Sequence, residues 1–405
     1  MEAVVLAAGE GLRMRPLTHS MPKVMLRVAN RPILEYGIKA LAKSGIRDIV
    51  MVVGYRRDQI MSYFEDGKKW GVRIRYVVEE KQMGTAHALY QAKDVVSDEF
   101  IVYPGDNILG EDSVSRFVKE TKGSRGNAVL VVESSVPSKY GVVIARDEKV
   151  VGIEKKVEPG VGMIINTGVY HMDKDIFPEI ERNMREGKYA IKDVLLDMAR
   201  RNRYFRAVLA QGRWVDAVYP WDLIRANADV LEKFTGGKIG GVVSASARID
   251  GPVIIGEGSV IRENCRITGP VVIGSGCEIG PGVVISPSTS IGDNVKIEPF
   301  VVIENSLIME DATIGPFSRI QHSVVGRGVR FDGNLTTMVG DTYVEVEEKG
   351  GKTFVEAKRV GCVIGEDTNI GSNVVLLPGT IVGVGCEIVP VKRLSGRIED
   401  GSNVL

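Results

Sequence analysis

The sequence predicts an α/β domain followed by a parallel β-helix. Over residues 1 to about 235, short apolar runs alternate with helical patterns, which is typical of a parallel sheet crossed by helices. From Val243 onward, an aliphatic residue recurs every six positions, the hexapeptide pattern in which each coil buries its apolar edge by stacking on the next. A chain of 405 residues also exceeds one ordinary core. We therefore expect two domains, residues 1–235 and 236–405.

Composition excludes several classes of protein. Lys+Arg and Asp+Glu number 52 each, so the chain lacks the excess of cations that binds nucleic acids or membrane surfaces. No apolar run approaches the roughly 20 residues of a membrane helix, and no leader pattern begins the chain, which predicts a cytoplasmic protein. Four cysteines lie far apart in the repeat region and predict buried thiols rather than disulfides or metal ligands. They are Cys265, Cys277, Cys362 and Cys386.

In the first domain the pattern predicts helices between strands. The predicted helices are Pro32 to Ser44 and one that begins near Asp58. The predicted strands include Ala3 to Leu6, Ile49 to Val53, Ile74 to Val78 and Phe100 to Tyr103. Ligands of such sheets bind beyond the carboxyl ends of the strands, so polar residues just after them are candidate site residues.

The first strand runs into the stretch LAAGEGLRMRPLTHSMPKVMLRV, Leu6 to Val28. Gly9 and Gly11 allow backbone N–H groups to face an anion. Guanidinium groups clamp phosphate oxygens, and a lysine adds a mobile charge. The cations of the stretch include Arg13, Arg15 and Lys23. It predicts a phosphate-binding site, and the alternative is a βα turn with solvated cations.

Two further polar groups follow predicted strands. In EEKQMGTAHA, Gly84 and Thr85 would let a flat base lie against the backbone, and side chains before them could read its edge. The alternative is a helix cap without a ligand. In IVYPGDN, a buried strand ends just before Asp106, whose carboxylate suits Mg²⁺ if a second acid comes from elsewhere. The alternative is a turn aspartate without a metal.

The glycine stretch, LAAGEGLRMRPLT followed by MPKVMLRV, resembles the signature of the sugar-phosphate nucleotidylyltransferases, with departures at Leu12 and Met14. The resemblance covers most of residues 1–235. It implies a Rossmann-like domain that joins a nucleoside triphosphate to a sugar 1-phosphate and releases pyrophosphate. It also implies that Arg13 contacts the β- and γ-phosphates and that Lys23 lies near the reacting phosphates. The nucleotide-binding residues would be Leu6, Ala8, Gly9, Gly11, Glu79, Gln82, Gly84 and Thr85.

The resemblance further implies a metal site and a sugar site. GRWVDAVYPWDLIRAN is similar to the family's metal segment, so Asp106 and Asp216 would bind Mg²⁺, although Val218 and Tyr219 replace the expected Gly-Thr. YGVV, GIEKK and INTGVY resemble sugar-binding segments of the family. The implied contacts to glucose or N-acetylglucosamine 1-phosphate are Gly141, Glu154, Lys155 and Asn166.

The identity of the base depends on Glu79, where the family most often has Gln. A carboxylate only accepts hydrogen bonds, which suits the N1–H and N2–H₂ donors of guanine. The segment QMGTAHA is similar to that of uridylyl- and guanylyl-transferring members, and family frequency favours a pyrimidine. We therefore predict UTP or dTTP, with a GTP-dependent mannose-1-phosphate guanylyltransferase as the alternative.

The repeat region resembles left-handed hexapeptide β-helices, which commonly pack as trimers. We expect a homotrimer formed largely by residues 240–405. The pattern slips near Ser306 and gives way between Phe331 and Gly361, which predicts a projecting hairpin arm near residues 332–362.

The two-domain layout also resembles bifunctional uridylyltransferase–acetyltransferases, most closely their archaeal members. The base of that acetyl transfer is a His, and its position falls here on Pro316, which cannot act as a base. His322 is a candidate substitute. The remaining alternative is a non-catalytic regulatory subunit, against which the retained cations and carboxylates argue.

Overall fold

The computed structural model describes residues 1–124, 126–134, 142–154, 163–210, 214–348 and 350–405. Its contacts divide the chain into two compact units. The first unit comprises Met1–Glu10 and Ile33–Asp216, and the second comprises Gly11–Pro32 and Ala217–Leu405. The domain boundary expected near residue 235 stays a prediction.

The first unit is built on one nine-stranded sheet. Glu2–Ala7 pairs in parallel with strands on both sides, so its residues are almost entirely buried and, after Glu2, apolar, as is typical of a central parallel strand. From edge to edge the strands are Arg73–Val78, Asp48–Val53, Glu2–Ala7, Glu99–Pro104, Met163–Asp173, Ala128–Ser134, Arg206–Leu209, Lys149–Glu154 and Val142–Arg146. All four predicted strands are therefore confirmed.

The sheet is mixed, which corrects the prediction of a parallel sheet. Met163–Asp173 runs antiparallel to both of its main neighbours, Glu99–Pro104 and Ala128–Ser134. Within the described part of the chain, no helix lies between Ala128 and Asp173. Strands that no crossover helix joins are free to pair antiparallel, and in the described part of this unit helices separate the strands only before Ala128 and after Asp173.

Amphipathic helices pack against this sheet. Leu89, Phe177 and Leu195 come from three different helices and share one core with the strand residues Val50 and Val102. The helices of the first unit are Ile33–Lys43, Arg57–Phe64, Thr85–Tyr90, Glu111–Thr121, Ile176–Arg185 and Ile191–Arg200. The first two confirm the predicted helices. The second unit adds Asp222–Leu231 and the short 3-10 helices Leu12–Met14 and Lys23–Met25.

The second unit contains a left-handed parallel β-helix of three sheets. The first sheet is Lys238–Ile239, Val253–Ile255, Val271–Ile273, Thr289–Ile291, Leu307–Ile308, Val324–Val325, Cys362–Ile364, Thr380–Val382 and Arg397–Ile398. The second is Val242–Val243, Val260–Ile261, Glu278–Ile279, Lys296–Ile297, Thr313–Ile314, Arg330–Phe331, Asn369–Ile370, Glu387–Ile388 and Asn403–Val404. The third is Arg248–Asp250, Arg266–Thr268, Val284–Ile285, Val302–Glu304, Arg319–Gln321, Thr336–Thr337, Val375–Leu376 and Arg393–Leu394.

The hexapeptide residues stack in columns inside the β-helix. Ile267 pairs with Ile285, and Ile285 with Ile303, and all three side chains are fully buried. Ile303 then pairs with Ile320, one residue sooner than the period requires, so the slip near Ser306 is a shortened coil that keeps the column intact. Each coil thus depends on its neighbours for burial.

A two-stranded antiparallel hairpin interrupts the coils. Its strands are Gly340–Glu348 and Gly351–Val360, and we call it the hairpin arm. The coils resume beyond it in register, since Val324 pairs directly with Val363.

The four cysteines are buried free thiols, as predicted, and burial raises the pKa of each thiol. Among the described residues, each helix is too short or too polar to traverse a lipid bilayer.

Candidate active site

Three strands of the first unit end side by side, close to predicted nucleotide-binding and metal-binding residues. The N–H of Gly105 donates to the carbonyl oxygen of Leu6 at 2.8 Å, and the N–H of Tyr55 donates to that of Ala8 at 3.1 Å. The turn that contains Asp106 therefore lies beside the start of the glycine stretch. A Cβ added at Gly9 would meet no atom within 4 Å, so open space adjoins the backbone there.

Gly54 allows the predicted base-binding segment, EEKQMGTAHA, to pack against the same strand ends. The sequence did not single out this glycine. A Cβ at Gly54 would lie 2.7 Å from Nε2 of Gln82, 2.8 Å from the Ala8 carbonyl and 3.0 Å from that of Glu79. The N–H of Glu79 also donates to the carbonyl of Val53 at 2.8 Å. Only a residue without a side chain permits this approach. The predicted residues Ala8, Glu79 and Gln82 thus lie together.

Gly84 and Thr85 begin a helix that packs against the segment around Tyr189. A Cβ on Gly84 would lie 2.5 Å from the Tyr189 carbonyl oxygen, so the close approach requires glycine. The N–H of Ala86 donates to that carbonyl at 2.8 Å, and the hydroxyl of Thr85 accepts from the N–H of Ile191 at 3.0 Å. These bonds fix the segment whether or not a base is bound.

Glu79 forms a buried pair with His87. Its side chain is 3 % exposed, and Oε1 lies 2.6 Å from Nδ1 of the His87 ring. The Gln91 amide nitrogen lies 3.3 Å from Nε2 of the same ring. One carboxylate oxygen of Glu79, a predicted nucleotide-binding residue, is therefore engaged within the protein. The signal that could have found this pair is the His of QMGTAHA, one helical turn after the glycine.

The two predicted metal ligands lie on neighbouring segments. Asp106 directly precedes the strand Asn107–Leu109, which pairs antiparallel with Trp214–Asp216. In that register Asp216 stands opposite Asn107. Two carboxylates at the ends of strands provide the hard oxygen ligands that Mg²⁺ takes together with substrate phosphates. Among the described residues no group of three or more His, Cys, Asp or Glu could hold a metal.

Buried hydrogen bonds hold the Asp106 turn. The amide nitrogen of Asn107 donates to the carbonyl of Thr167, whose hydroxyl donates to the Leu130 carbonyl at 2.7 Å. The Tyr103 hydroxyl donates to the Asn107 carbonyl at 3.3 Å. Burial, and then the charge of Asp106, raises the pKa of the Tyr103 phenol, so it remains a neutral donor.

The predicted sugar residues are only partly within the described chain. Gly141 and Lys155 lie outside the described residues. Glu154 ends the strand Lys149–Glu154 and is exposed. Asn166 accepts from the N–H of Gly168 and donates to the Tyr170 hydroxyl, both at 2.7 Å. One amide hydrogen and one lone pair remain on Asn166 beyond these two bonds.

The predicted phosphate residues Gly11 and Lys23 meet within the second unit. Gly11 has φ of 75°, a left-handed conformation that favours glycine. A Cβ there would lie 2.8 Å from Cβ of Lys23. The Thr18 hydroxyl donates to the Gly11 carbonyl at 2.9 Å, which closes the loop that carries Arg13.

Two arginines of this loop pair with the hairpin arm. Nε of Arg13 lies 2.8 Å from Oε1 of Glu348, and Nη1 of Arg15 lies 3.0 Å from Oε2 of Glu347. Arg397, from the last coils of the β-helix, holds the other Glu347 oxygen at 2.6 Å. The sequence predicts the arm and the cations separately but not their contact, because no local pattern links residues so far apart.

Val218 and Tyr219 stand where the nucleotidylyltransferases that the sequence resembles have Gly-Thr, and Asp222 holds the turn that they form. Both backbone N–H groups donate to Oδ2 of Asp222, at 3.0 and 2.8 Å. The Tyr219 ring stacks on Trp221 with centroids 5.0 Å apart. The turn is therefore held by a side chain of the following helix rather than by a glycine.

On the β-helix, His322 is nearly buried beside Asn305. The Asn305 amide donates to Nδ1 of His322 at 2.9 Å. Burial, and then the charge of Arg359, lowers the pKa of His322. A neutral imidazole can accept a proton only at its unprotonated nitrogen, which here is Nδ1 and already accepts from Asn305.

The chain matches two known families. Residues 2–233 match the family described as nucleotidyl transferase, and residues 267–398 match the GMPPB C-terminal domain. The protein is 37% identical over 412 residues to the bifunctional protein GlmU of Methanococcus maripaludis, covering 100% of this chain and 97% of that one. It is 32% identical to the bifunctional sugar-1-phosphate nucleotidylyltransferase/acetyltransferase of Sulfurisphaera tokodaii, covering 96% of each chain.

A solved structure supports the nucleotidyltransferase fold over part of the chain. A putative glucose-1-phosphate thymidylyltransferase from Bacillus anthracis has a TM-score of 0.52 and 29% identity. The match covers 56% of this chain and 94% of that one.

Proposed function

This chain belongs to the nucleotidyl transferase family and is a sugar-1-phosphate nucleotidylyltransferase, and we propose that it joins UTP or dTTP to glucose or N-acetylglucosamine 1-phosphate. The observation that carries this proposal is the pairing of the Asp216 strand with the strand after Asp106. It puts two carboxylates at the strand ends where the glycine stretch begins.

The reaction is an in-line displacement at the α-phosphorus. A phosphate oxygen of the sugar 1-phosphate forms a bond to that phosphorus, and the bond to the oxygen bridging the α- and β-phosphates breaks, releasing pyrophosphate. The protein does no covalent chemistry in this step, so its contribution is positioning and charge. Arg13 would bind the departing pyrophosphate, and Lys23 would neutralise the reacting phosphates.

We propose that Asp106 and Asp216 hold Mg²⁺. The bound ion would supply positive charge to the phosphate oxygens. The two carboxylates then act as ligands and not as proton carriers. Glu154 and Asn166 would contact the sugar hydroxyls from separate strands, together with Gly141 and Lys155.

The proposal of a pyrimidine base is supported by the Glu79–His87 pair. His87 engages one Glu79 oxygen, which leaves that oxygen less able to accept from the donors of guanine. The backbone beside Gly84 and the Gln82 amide, which both donates and accepts, can then read a uracil or thymine edge. The alternative is GTP with mannose 1-phosphate, which the C-terminal match to the GMPPB domain favours.

A second activity, acetyl transfer, is proposed because the full-length relatives are named as bifunctional. The position of the family's catalytic His is Pro316, so the base would have to be His322. The lowered pKa of its buried imidazole supports this role, and Nδ1 would have to exchange the Asn305 amide for the substrate proton.

We propose a homotrimer formed through the β-helix. At one corner Phe300 and Phe317 stack with ring centroids 5.3 Å apart while remaining 55% and 60% exposed. Both have positive φ, which is uncommon for large side chains, whereas the next coil has Asn334 at the equivalent corner. Exposed aromatic side chains at two successive strained corners indicate a contact surface.

The four free thiols also support a cytoplasmic location.

The experiment that tests the catalytic proposal is release of pyrophosphate with Mg²⁺. Five triphosphates (UTP, dTTP, GTP, ATP and CTP) are each combined with the 1-phosphates of glucose, N-acetylglucosamine and mannose. Fastest turnover is expected with UTP or dTTP. If no combination releases pyrophosphate, the catalytic proposal is wrong, and a clear preference for GTP with mannose 1-phosphate would establish the alternative. Acetyl transfer from acetyl coenzyme A to amino sugars is measured separately, with His322→Gln as the variant.

A further inference from the structure

The tip of the hairpin arm carries two adjacent glutamates that contact the loop of Arg13 and Arg15, which the Thr18 hydroxyl closes onto the Gly11 carbonyl. Glu347 and Glu348 end the strand Gly340–Glu348, immediately before the turn of the hairpin. Each pairs with a different arginine of the loop, Glu348 with Arg13 and Glu347 with Arg15. All four residues lie within the second unit. The arm therefore brings negative charge to the residues that would otherwise bind phosphate oxygens.

The two glutamates are held unequally. Glu347 lies between two guanidinium groups, those of Arg15 and Arg397, and the Arg397 side chain is 8% exposed. Glu348 pairs with Arg13 at a more open position, where the two side chains are 33% and 48% exposed. Exposed ion pairs are individually weak because water and salt screen them. Glu347 therefore anchors the arm, while the Glu348 contact can open.

Two ion pairs of Lys352 also hold the arm. The Lys352 ammonium lies 2.9 Å from a Glu345 oxygen and 2.6 Å from a Glu399 oxygen. Lys352 belongs to the return strand, and Glu399 belongs to the end of the β-helix. Opening of the Glu348 contact thus does not require the arm to leave the β-helix.

Guanidinium groups bind phosphate in the same way as carboxylate, through charge-assisted and often bidentate hydrogen bonds. A polyphosphate carries more negative charge than a single carboxylate. Arg13 therefore faces two mutually exclusive partners, one built into the chain and the other brought by the substrate.

We propose that Glu348 is an internal competitor of the nucleotide, which occupies Arg13 in the ligand-free enzyme and is displaced when the triphosphate binds. The proposal rests on the proposed function, since it assigns Arg13 to the phosphates. The arm then lowers the apparent affinity for nucleotide by the fraction of molecules in which Arg13 is already paired. An exposed pair that is formed half to four-fifths of the time weakens binding about two- to fivefold.

The opposite role is positioning, in which Glu348 holds Arg13 in the conformation that the phosphates need. The two roles predict opposite signs for the same substitution. Removal of a competitor tightens phosphate binding, whereas removal of a positioning residue weakens it and lowers kcat.

The test is calorimetric binding of inorganic tripolyphosphate, and separately of UTP, to the full-length protein. The variants are Glu348→Gln, which removes the charge, and Glu348→Ala, which also removes the acceptor. The control is Glu356→Gln, which makes the same charge change on the return strand, where Glu356 lies 3.7 Å from Lys358. A thermal unfolding curve for each variant checks that the fold is retained.

We expect Glu348→Gln and Glu348→Ala to bind tripolyphosphate about two- to fivefold more tightly than the parent, with Glu356→Gln unchanged. Unchanged or weaker binding by both Glu348 variants would overturn the proposal, as would equal tightening by the Glu356 control. Failure of tripolyphosphate to bind any of the proteins at millimolar concentration also counts against it.

Pyrophosphate release on the same preparations separates this proposal from the catalytic one. If the parent turns over UTP and the Glu348 variants bind tripolyphosphate with unaltered affinity, the catalytic proposal stands and the competitor proposal is wrong. If the parent turns over no triphosphate, the catalytic proposal is wrong. Tighter tripolyphosphate binding by Glu348→Gln would still support competition at Arg13.

Discussion

Oε1 of Glu79 lies 2.6 Å from Nδ1 of His87, in a contact from which solvent is nearly excluded. The contact bears directly on the proposed role of Glu79. A carboxylate committed to a neighbouring ring contributes to stability, whereas one directed at a ligand contributes to recognition.

The first prediction concerns this pair. Glu79→Gln keeps an acceptor for His87, so we expect the preference for UTP or dTTP over GTP in kcat/KM to change by no more than about threefold. Glu79→Leu leaves the His87 ring without its partner, and we expect its free energy of unfolding to fall by about 1 to 3 kcal/mol. Urea denaturation measures the second effect. A parent that prefers GTP, together with a Glu79→Gln variant that prefers UTP, would show instead that Glu79 reads the base.

The second prediction concerns the two carboxylates at the strand ends. Asp106→Asn and Asp216→Asn should each lower the rate of pyrophosphate release about 100-fold or more, because charge stabilisation of the phosphates is lost. The control is Asp112→Asn, since Asp112 is an exposed residue of the helix Glu111–Thr121 and should leave the rate unchanged. Wild-type rates in both site variants at saturating Mg²⁺ would rule out the proposed ligands.

The third prediction concerns the close approach at Gly84. Gly84→Ala puts a methyl group 2.5 Å from the Tyr189 carbonyl oxygen, so the segment must shift. We expect a loss of about 1 to 3 kcal/mol in the free energy of unfolding, and a raised KM for the triphosphate. Gly110→Ala is the matched control, because its Cβ would meet its nearest atom at 3.8 Å. Equal stability of the two variants would contradict the geometry at Gly84.

The fourth prediction concerns assembly. Phe300→Asn with Phe317→Asn replaces two exposed aromatic side chains by the residue that occupies the next corner, so the β-helix itself should be unaffected. Light scattering should show a trimer for the parent and a smaller species for the double variant. Phe354→Asn, on the hairpin arm, is the control and should remain trimeric. A monomeric parent would refute the proposed assembly.

The sequence predicted most of the fold because its signals are local or strictly periodic. The strand Asp48–Val53 and the helix Ile33–Lys43 follow from apolar spacing within a few residues. The columns of the β-helix follow from a six-residue period, and even the shortened coil was visible as a slip near Ser306. The mixed sheet was not predicted, because apolar content does not distinguish parallel from antiparallel partners of Met163–Asp173.

The candidate site was predicted residue by residue, but its internal contacts were not. Gly84 and Asp106 stood out by residue type and position after a strand. The pairing of Glu79 with His87 and that of Arg13 with Glu348 depend on tertiary structure. Gly54 looks like an ordinary turn glycine until the atoms around it are known.

The hairpin arm leaves the β-helix at a point where the coils close up without it, since Val324 pairs with Val363 and Phe331 with Ile370 across the insertion. Such an insertion can be lengthened, shortened or deleted while the stacked isoleucine columns keep their register. The acidity and length of one surface hairpin can therefore drift in evolution independently of the core. If Glu348 competes with the nucleotide as proposed, changes in this one hairpin would alter the response to nucleotide concentration without altering the stacked coils.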